Sequence, residues 1–347
     1  MRKKSRLVMA SLFLLFTAAG TTLWFVFTDT CVLYQLENHE RPPQAVFDLL
    51  GDGTSARSYR YGATDDLGQG LDCLNAIEYA PGEYYGVHHH YNGTSFSVHL
   101  VNSSNLIDWH FVCVLAHEAS MPVVERDTAT GAFYVAHEQW QGANTTGPCW
   151  IKFRYYPSLE YLTNSAPTRL FQTTRVLSDL EGTPTFYAIS GAGAEIRIGL
   201  HYNGPGGLDR VATGVLRDFH SPQPSWQASP WTEYNQVLEC NWIEGHIGAR
   251  EVGALWGRTY SVQEAQLRKD DWGAWRSFLY CWDDGGFWPL NVKTHGGSTA
   301  FSNPHFRVVS DPLNSSSDVV LVTYFVHSAG SAAGEAGPML FVKPVPA

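Results

Sequence analysis

The chain has 347 residues, of which 44% are hydrophobic and 16% charged, so it can fill a large core and is not a disordered chain. Its formal net charge is −10. An acidic surface of this kind repels phosphate backbones, which argues against nucleic acid as a partner. Gly (32) and Pro (18) are scattered along the chain, as expected of many short strands and turns.

The N-terminus has the charge pattern of an export signal. Residues 1–6 contain four Lys or Arg residues, and residues 7–27 form an uncharged run. This run is about long enough to cross a bilayer as a helix, and the basic tail would stay cytoplasmic. The pattern predicts a single-pass type II membrane protein of the secretory pathway or cell surface. The alternative is a cleaved signal peptide and a secreted protein.

Two further features agree with export. Four Asn-x-Ser/Thr triplets are candidate glycosylation acceptors, and they begin at Asn92, Asn102, Asn144 and Asn314. The chain also has six cysteines, which in an oxidising compartment can form three disulfides with fifteen connectivities. The predicted pairs are Cys73–Cys113 and Cys240–Cys281, each spanning a single sheet.

Beyond residue 70 the sequence repeats one theme: a short apolar strand, a Gly-containing turn, an aromatic-rich strand and a more polar strand. The five units have apolar strands at Ala76, Pro122, Thr185, Ala254 and Phe306. Units at roughly 45 to 65 residue intervals, without a long helical pattern, predict an all-β, five-bladed β-propeller over 71–347. Residues 28–70 are more polar and are interpreted as a stalk and lead-in. A β-sandwich with long loops is the alternative.

Three short stretches carry a family resemblance: Ser104-Asn-Leu-Ile-Asp-Trp109, Glu181-Gly-Thr-Pro184 and His295-Gly-Gly-Ser-Thr-Ala-Phe301. With them the chain resembles the five-bladed β-propeller glycoside hydrolases, the clan of family 43 arabinanases and xylosidases and family 32 invertases. The resemblance covers about residues 70–345. It implies a carbohydrate partner and inverting acid/base hydrolysis of a glycan.

The resemblance also implies roles for particular residues. Inverting hydrolysis needs a protonated carboxylic acid and a carboxylate that activates water. Glu181 is the candidate acid, with capping of a turn as the alternative, and Asp72 is the candidate base. At the second blade the family's aspartate is replaced, since the stretch reads Ala119-Ser120-Met121-Pro122.

Other polar residues are expected to line the axial pocket. The predicted substrate-binding set is His89, Glu138, Arg250, Glu264 and His295. Alternation within the run His88-His89-His90 places His89 on the opposite face from the other two. Arg250 is the expected partner of Glu264. No cofactor is required, but a divalent cation on the propeller axis would have His295 as its ligand, with a hydrogen-bonded core histidine as the alternative.

Two non-enzymatic hypotheses accompany the glycosidase hypothesis. The first is a non-catalytic carbohydrate-binding propeller, in which aromatic side chains stack on sugar rings. The candidate platforms lie in polar, loop-like segments: Trp140, Trp226, Trp231 and Trp272. The second is an adhesion or scaffold ectodomain that binds a protein. A monomer is expected in each case.

Overall fold

The computed structural model describes residues 39–143 and 147–346. The predicted anchor or signal at 7–27 and the acceptor triplet at Asn144 lie outside the described residues. Within these two ranges no helix is long and apolar enough to cross a bilayer. The α-helices of this part of the chain are α1 (Gln44–Gly51), α2 (Leu159–Thr163) and α3 (Thr232–Cys240). Short 3₁₀ turns span Gly53–Ser55, Pro205–Gly207, Trp272–Ala274 and Ser328–Gly330.

The described strands form five four-stranded antiparallel sheets, termed blades I to V. The first strand of the chain is β1 (Ser58–Tyr61). Blade I contains β2 (Asp72–Ala80), β3 (Glu83–Tyr91), β4 (Phe96–Ser103) and β5 (His110–His117). Blade II contains β6 (Ala119–Arg126), β7 (Phe133–Trp140), β8 (Cys149–Tyr156) and β9 (Arg169–Gln172). Blade III contains β10 (Glu181–Ser190), β11 (Glu195–Asn203), β12 (Asp209–Arg217) and β13 (Ser225–Pro230).

The last two blades complete the ring. Blade IV contains β14 (Ile247–Leu255), β15 (Arg258–Gln266), β16 (Trp275–Cys281) and β17 (Phe287–Leu290). Blade V contains β18 (Phe301–Asp311), β19 (Asn314–Val326), β20 (Gly337–Pro344) and, as its outermost strand, β1. The inner strands β2, β6, β10, β14 and β18 contact one another in that order and back to β2. The predicted five-bladed propeller is thus confirmed. The end at which the inner strands begin is termed the upper end.

Apolar side chains fill the interfaces between neighbouring blades. Along β3, Tyr84 packs with residues of blade V, whereas Tyr85 and Val87 pack with residues of blade II. Successive side chains of a strand point to opposite faces, so a strand buried on both faces must be apolar along much of its length. Helix α1 adds Val46 and Leu50 to the interface of blades IV and V. Burial between blades, rather than within one sheet, therefore holds the ring together.

Strand β1 joins the N-terminal part of the domain to its C-terminal part. Ser58 pairs with Val342 and Tyr61 with Met339, so β1 is the fourth strand of blade V. The predicted domain start at residue 71 is therefore too late, because it leaves this strand in the lead-in. The predicted final strand at Met339 to Val342 is confirmed as part of β20.

The predicted disulfide pairs are wrong. Cys73, Cys113 and Cys281 are free thiols, as is Cys149. Each predicted pair thus contains at least one free member. Cys73 begins the inner strand of blade I, whereas Cys113 lies on its outermost strand, so the sheet itself separates the two thiols.

Candidate functional site

Each inner strand has a β-bulge near its upper end, where two residues face one on the neighbouring strand. The register slips between Asp72 and Asn75 in blade I and between Ser302 and His305 in blade V, and blades II to IV slip at the matching place. Bulges of this kind re-aim side chains and backbone groups. The first bulged residues, termed the bulge ring, are Cys73, Met121, Thr183, Gly248 and Asn303. Four of them are non-glycine residues with φ values of 48° to 57°, which side chains adopt rarely.

Side chains of one blade hold the bulge ring of the next. The Met121 N–H donates to His89 Nδ1 at 3.0 Å, and the Thr183 N–H donates to Glu138 Oε1 at 2.8 Å. The Asn303 N–H donates to a carboxylate oxygen of Glu264. A buried backbone N–H needs an acceptor. At three of the five blade junctions, the side chain of His89, Glu138 or Glu264 therefore accepts the bulge N–H of the next blade.

Asp72 lies at the upper end of the axis and has two side-chain partners. His89 Nε2–H donates to its Oδ2 at 3.0 Å, and the Asn303 amide donates to its Oδ1 at 2.7 Å. His89 carries its proton on Nε2 because its Nδ1 accepts from Met121. Burial, the largest single effect, raises the pKa of Asp72, but attraction to His89 and hydrogen bonds from His89 and Asn303 together lower it below its ordinary value. Asp72 is therefore an ionised carboxylate, with its side chain 21% exposed.

Glu264 is buried beside the same residues. Its Oε1 accepts the Ala249 N–H at 2.7 Å, and its Oε2 accepts the Asn303 N–H. A Cβ on Gly248 would lie 1.8 Å from Oε1, so only glycine leaves room for the carboxyl group. Burial raises the pKa of Glu264 to about 8, and Asp72 and Asp209 add to the rise against the two backbone hydrogen bonds.

The Glu138 carboxylate accepts hydrogen bonds from both blade II and blade III. Its Oε2 accepts the Ser120 hydroxyl at 2.5 Å, and Ser120 Oγ accepts the Trp140 indole N–H at 2.7 Å. Its Oε1 accepts the Thr183 N–H and lies 3.7 Å from His201 Nε2. Both oxygens of this carboxylate are thus engaged within the protein.

Glu181, the predicted acid, does not point into the axis. Its side chain is fully buried, and Oε1 accepts the backbone N–H groups of Val176 at 2.6 Å and Leu177 at 2.5 Å. These groups belong to the segment that precedes β10. Gly182 is the residue paired at the bulge, so its neighbour Glu181 projects to the other face of the strand. The geometry matches the alternative interpretation of a turn cap and does not support a general acid.

Arg250, which was predicted to line the axial pocket, also lies elsewhere. Arg250 is 1% exposed and sits below the bulge ring, where its Nε–H donates to the Tyr187 hydroxyl at 2.9 Å rather than to Glu264. It lies close to Met121, Thr183 and His305 in the packed interior of the ring. The structure thus joins Asp72, His89 and Glu264 through the bulge ring but separates Arg250 and Glu181 from them.

His295 is not an axial residue. It is exposed, its Nδ1 lies 3.0 Å from the Tyr61 hydroxyl, and its ring stacks on Tyr59 at 4.3 Å. Tyr59 and Tyr61 belong to β1, the outermost strand of blade V. The predicted role of His295 as ligand of an axial cation is therefore not compatible with its position.

Aromatic residues lie at the junction of blades IV and V, where the turn Trp272–Ala274 contacts the turn Ser328–Gly330. Trp272 is 63% exposed, and its ring lies 5.4 Å from that of His327. Burial lowers the pKa of His327, and electrostatic attraction to the Asp72 carboxylate opposes this shift. The surface formed by Asp72, Trp272, Asn303 and His327 is termed the axial mouth.

Sequence reasoning missed Asn303, although a signal was present. The triplets Ser120-Met121-Pro122, Gly182-Thr183-Pro184 and Ser302-Asn303-Pro304 share a small residue, the bulge residue and a proline. Aligning these three prolines places Asn303 in the bulge ring. His327 carries no comparable motif.

The fold defines the chain as a five-bladed β-propeller. Among solved structures, it is similar to a thermostable family-43 glycoside hydrolase, with a TM-score of 0.50 and 13% identity over 82% of this chain and 92% of the other. It is similar to an α-L-arabinofuranosidase from Lactobacillus brevis, with a TM-score of 0.50 and 7% identity over 80% and 94%. It also matches a family-43 protein from Bacillus licheniformis, with a TM-score of 0.51 and 9% identity over 83% and 54%.

These matches agree with the fold that the sequence resemblance predicted. At such identities they establish the fold and not the activity. No protein-family model and no curated protein matches the sequence.

Proposed function

We propose that this chain is a carbohydrate-binding β-propeller that holds a glycan at the axial mouth without hydrolysing it. One observation carries the proposal: three carboxyl groups that the sequence predicted at the site, those of Glu138, Glu181 and Glu264, already accept hydrogen bonds from the protein's own backbone. Glu138 and Glu264 hold the bulges of the next blades, and Glu181 caps a turn. None of the five bulge-ring residues has a carboxylate.

Inverting hydrolysis requires two carboxyl groups that converge on one bond, about 6.5–9.5 Å apart with room for water. At the axial mouth Asp72 is the carboxylate with exposed side-chain surface, and its oxygens are held by His89 and Asn303. An ionised carboxylate and an amide are suited to sugar hydroxyl groups. A single carboxylate cannot supply both the acid and the base.

The exposed ring of Trp272 supports a sugar as the ligand. An aromatic face packs against the C–H face of a pyranose, while nearby polar groups fix its orientation. In the proposed site, Trp272 would supply the aromatic face and the hydrogen-bonded pair Asp72–Asn303 the polar groups. The fold similarity to glycoside hydrolases agrees with the ligand class but does not establish it.

The test begins with a glycan array that includes oligosaccharides of arabinose, xylose and fructose, probed with the full chain. The best ligand is then titrated against Trp272→Ala. Loss of the platform should weaken binding at least about tenfold, or ~1.4 kcal/mol. Trp256→Ala is the matched control, since Trp256 is 43% exposed and lies in the turn between β14 and β15, at the lower end.

The outcomes separate the hypotheses. Binding that is lost in Trp272→Ala, retained in Trp256→Ala and not followed by sugar release supports the proposal. No glycan bound by a folded chain, or equal binding by both variants, contradicts it.

A second candidate function is glycoside hydrolysis with Asp72 as base and Glu264 as acid. It is favoured by the opposite shifts in pKa, downward for Asp72 and upward to about 8 for Glu264. Such divergent pairs are typical of acid/base catalysis. Turnover that disappears in both Asp72→Asn and Glu264→Gln, with folding retained, would establish this function in place of binding.

We also propose that the domain is exported. Asn92 and Asn314 are exposed and lie in or next to turns, where an oligosaccharide can be attached. Expression in a eukaryotic host should give a protein whose mass falls on treatment with a glycosidase specific for N-linked chains. An unchanged mass would contradict export.

A further inference from the structure

Two histidines and an aspartate meet beneath the surface of blade I, away from the axial mouth. His88 on β3 and His99 on β4 are directly paired across the strands, and their rings lie 5.3 Å apart. Asp65 belongs to the connection between β1 and β2. The three residues are 0%, 3% and 5% exposed, respectively. They come from three separate segments of the chain.

Each residue uses one polar atom for an ordinary hydrogen bond. His88 Nδ1–H donates to the His89 carbonyl at 3.2 Å, and His99 Nε2 lies 2.7 Å from Ser97 Oγ. Asp65 Oδ1 accepts the N–H groups of Leu67 at 3.0 Å and Gln69 at 2.8 Å. The carbonyl partner fixes the proton of His88 on Nδ1, and the two backbone N–H groups orient the Asp65 carboxylate, as outer-shell partners do at metal sites.

The second polar atom of each residue has no such bond. His88 Nε2, His99 Nδ1 and Asp65 Oδ2 are buried and have no hydrogen-bond partner among the described residues. One ligand atom from each residue lies within 4.8 Å of the other two. Buried polar atoms are normally satisfied, so three unsatisfied polar atoms on clustered residues require an explanation. A cation satisfies all three at once.

We propose that Asp65, His88 and His99 form a zinc site. Two imidazole nitrogens and one carboxylate oxygen are a common protein ligand set for Zn²⁺. The fourth tetrahedral position is left for water or for the amide oxygen of Gln69, which is also buried and unpaired among the described residues.

A second cluster of possible metal ligands lies at the axial mouth, but its histidine already has a hydrogen-bond partner on each nitrogen. Asp72, Cys73 and His89 also have ligand atoms within 4.8 Å of one another. There, both nitrogens of His89 are engaged, with Met121 and with Asp72. A metal would have to break these bonds, and so we assign no ion to this cluster.

The position of the zinc site suggests its role. The connection that carries Asp65 links the outermost strand of blade V to the innermost strand of blade I. A metal bound to Asp65, His88 and His99 would fasten this connection to the face of blade I. The ion would therefore be structural and would stabilise the closure of the ring.

The experiment uses the full chain, purified without a metal-affinity tag, stripped with a chelator and titrated with zinc chloride. We expect one zinc per chain by elemental analysis, a higher Tm with zinc, and visible d–d absorption when cobalt chloride replaces zinc. Asp65→Asn keeps an oxygen for the turn but removes the charge, and His99→Gln removes a ligand. Each should weaken zinc binding at least about tenfold.

His137→Gln is the matched control. His137 is buried in blade II like His88 in blade I, but its Nε2 accepts from Arg154 at 3.0 Å and its Nδ1 donates to the Glu138 carbonyl at 2.9 Å. Its zinc stoichiometry should equal that of the wild type. The proposal is overturned if the folded wild type binds less than one zinc and gains no stability from it. Asp65→Asn or His99→Gln binding zinc as tightly as the wild type would overturn it as well.

Discussion

Asp72 and Glu264 are linked through a single residue, because Asn303 donates its side-chain amide to Asp72 at 2.7 Å and its backbone N–H to Glu264. The three residues belong to blades I, IV and V. A substitution at Asn303 therefore affects two carboxyl groups of opposite pKa shift at once. This relationship allows the structural and ligand-binding roles of the axial mouth to be separated.

Asn303→Gly and Asn303→Ala should differ in stability although both remove the amide. The φ angle of Asn303 is 50°, which glycine adopts freely and alanine does not. We expect Asn303→Gly to lower the free energy of unfolding by about 1 kcal/mol through the lost hydrogen bond. Asn303→Ala should cost about 1 kcal/mol more, measured by urea denaturation. Equal losses would show that the bulge conformation is not strained.

Glu264 should make stability depend on pH. Burial raises its pKa from an ordinary 4.5 to about 8. Between these values the folded protein keeps a proton that the unfolded chain releases. The free energy of unfolding should therefore fall as pH rises through this range, by up to about 1.4 kcal/mol per pH unit. Urea midpoints across the range measure the slope. Glu264→Gln should flatten it, and an unchanged slope in this variant would contradict the assignment.

Glu181→Ala should weaken the fold without affecting the ligand. The substitution leaves the Val176 and Leu177 N–H groups without their acceptor. A buried group that loses its partner costs about 1–3 kcal/mol, so Tm should fall. Glycan affinity, compared by titration with the wild type, should stay the same. A stable variant that loses glycan turnover would instead restore Glu181 as the acid.

Gly248→Ala should be strongly destabilising. The new Cβ would lie 1.8 Å from Glu264 Oε1, so the carboxyl group would have to leave its backbone donors. We expect a loss of about 2–3 kcal/mol or more in denaturant unfolding. Gly70→Ala is the control, since its Cβ would meet no atom closer than 3.5 Å. Similar losses in the two variants would mean that Glu264 can be displaced at little cost.

The sequence predicted the repeating part of the fold well. Alternating apolar strands and Gly-containing turns are local signals, and all five predicted units correspond to blades. Strand β1 was missed because it has only four residues, Ser-Tyr-Arg-Tyr, which is too short for a recognisable alternation. Their role depends on pairing with β20, far along the chain. Long-range pairing of this kind leaves no local pattern.

The candidate site was predicted only in part. Asp72 and Glu264 are both hydrogen-bonded to Asn303 at the upper end of the ring, and His89 contacts Asp72, whereas their functional roles stay predictions. Glu181 was predicted from its likeness to the family's Glu-Gly-Pro motif, but its carboxyl group accepts hydrogen bonds from the segment that precedes β10. His295 was predicted near the axis because its segment resembles the family's fifth blade, whereas the loop before β18 places it against β1, at the outer edge of blade V.

The pairing of β1 with β20 has a consequence for folding during synthesis. The ribosome delivers β1 before the other strands, but its partner residues from Met339 to Val342 follow only after blades I to IV. Until then β1 has no strand to pair with, and Leu340 and Val342 are missing from the apolar contact between blades I and V. A chain with such non-local contacts folds slowly, and until it has folded it exposes apolar surface that is prone to aggregation. The newly made propeller is thus expected to depend on chaperones until β20 has been released.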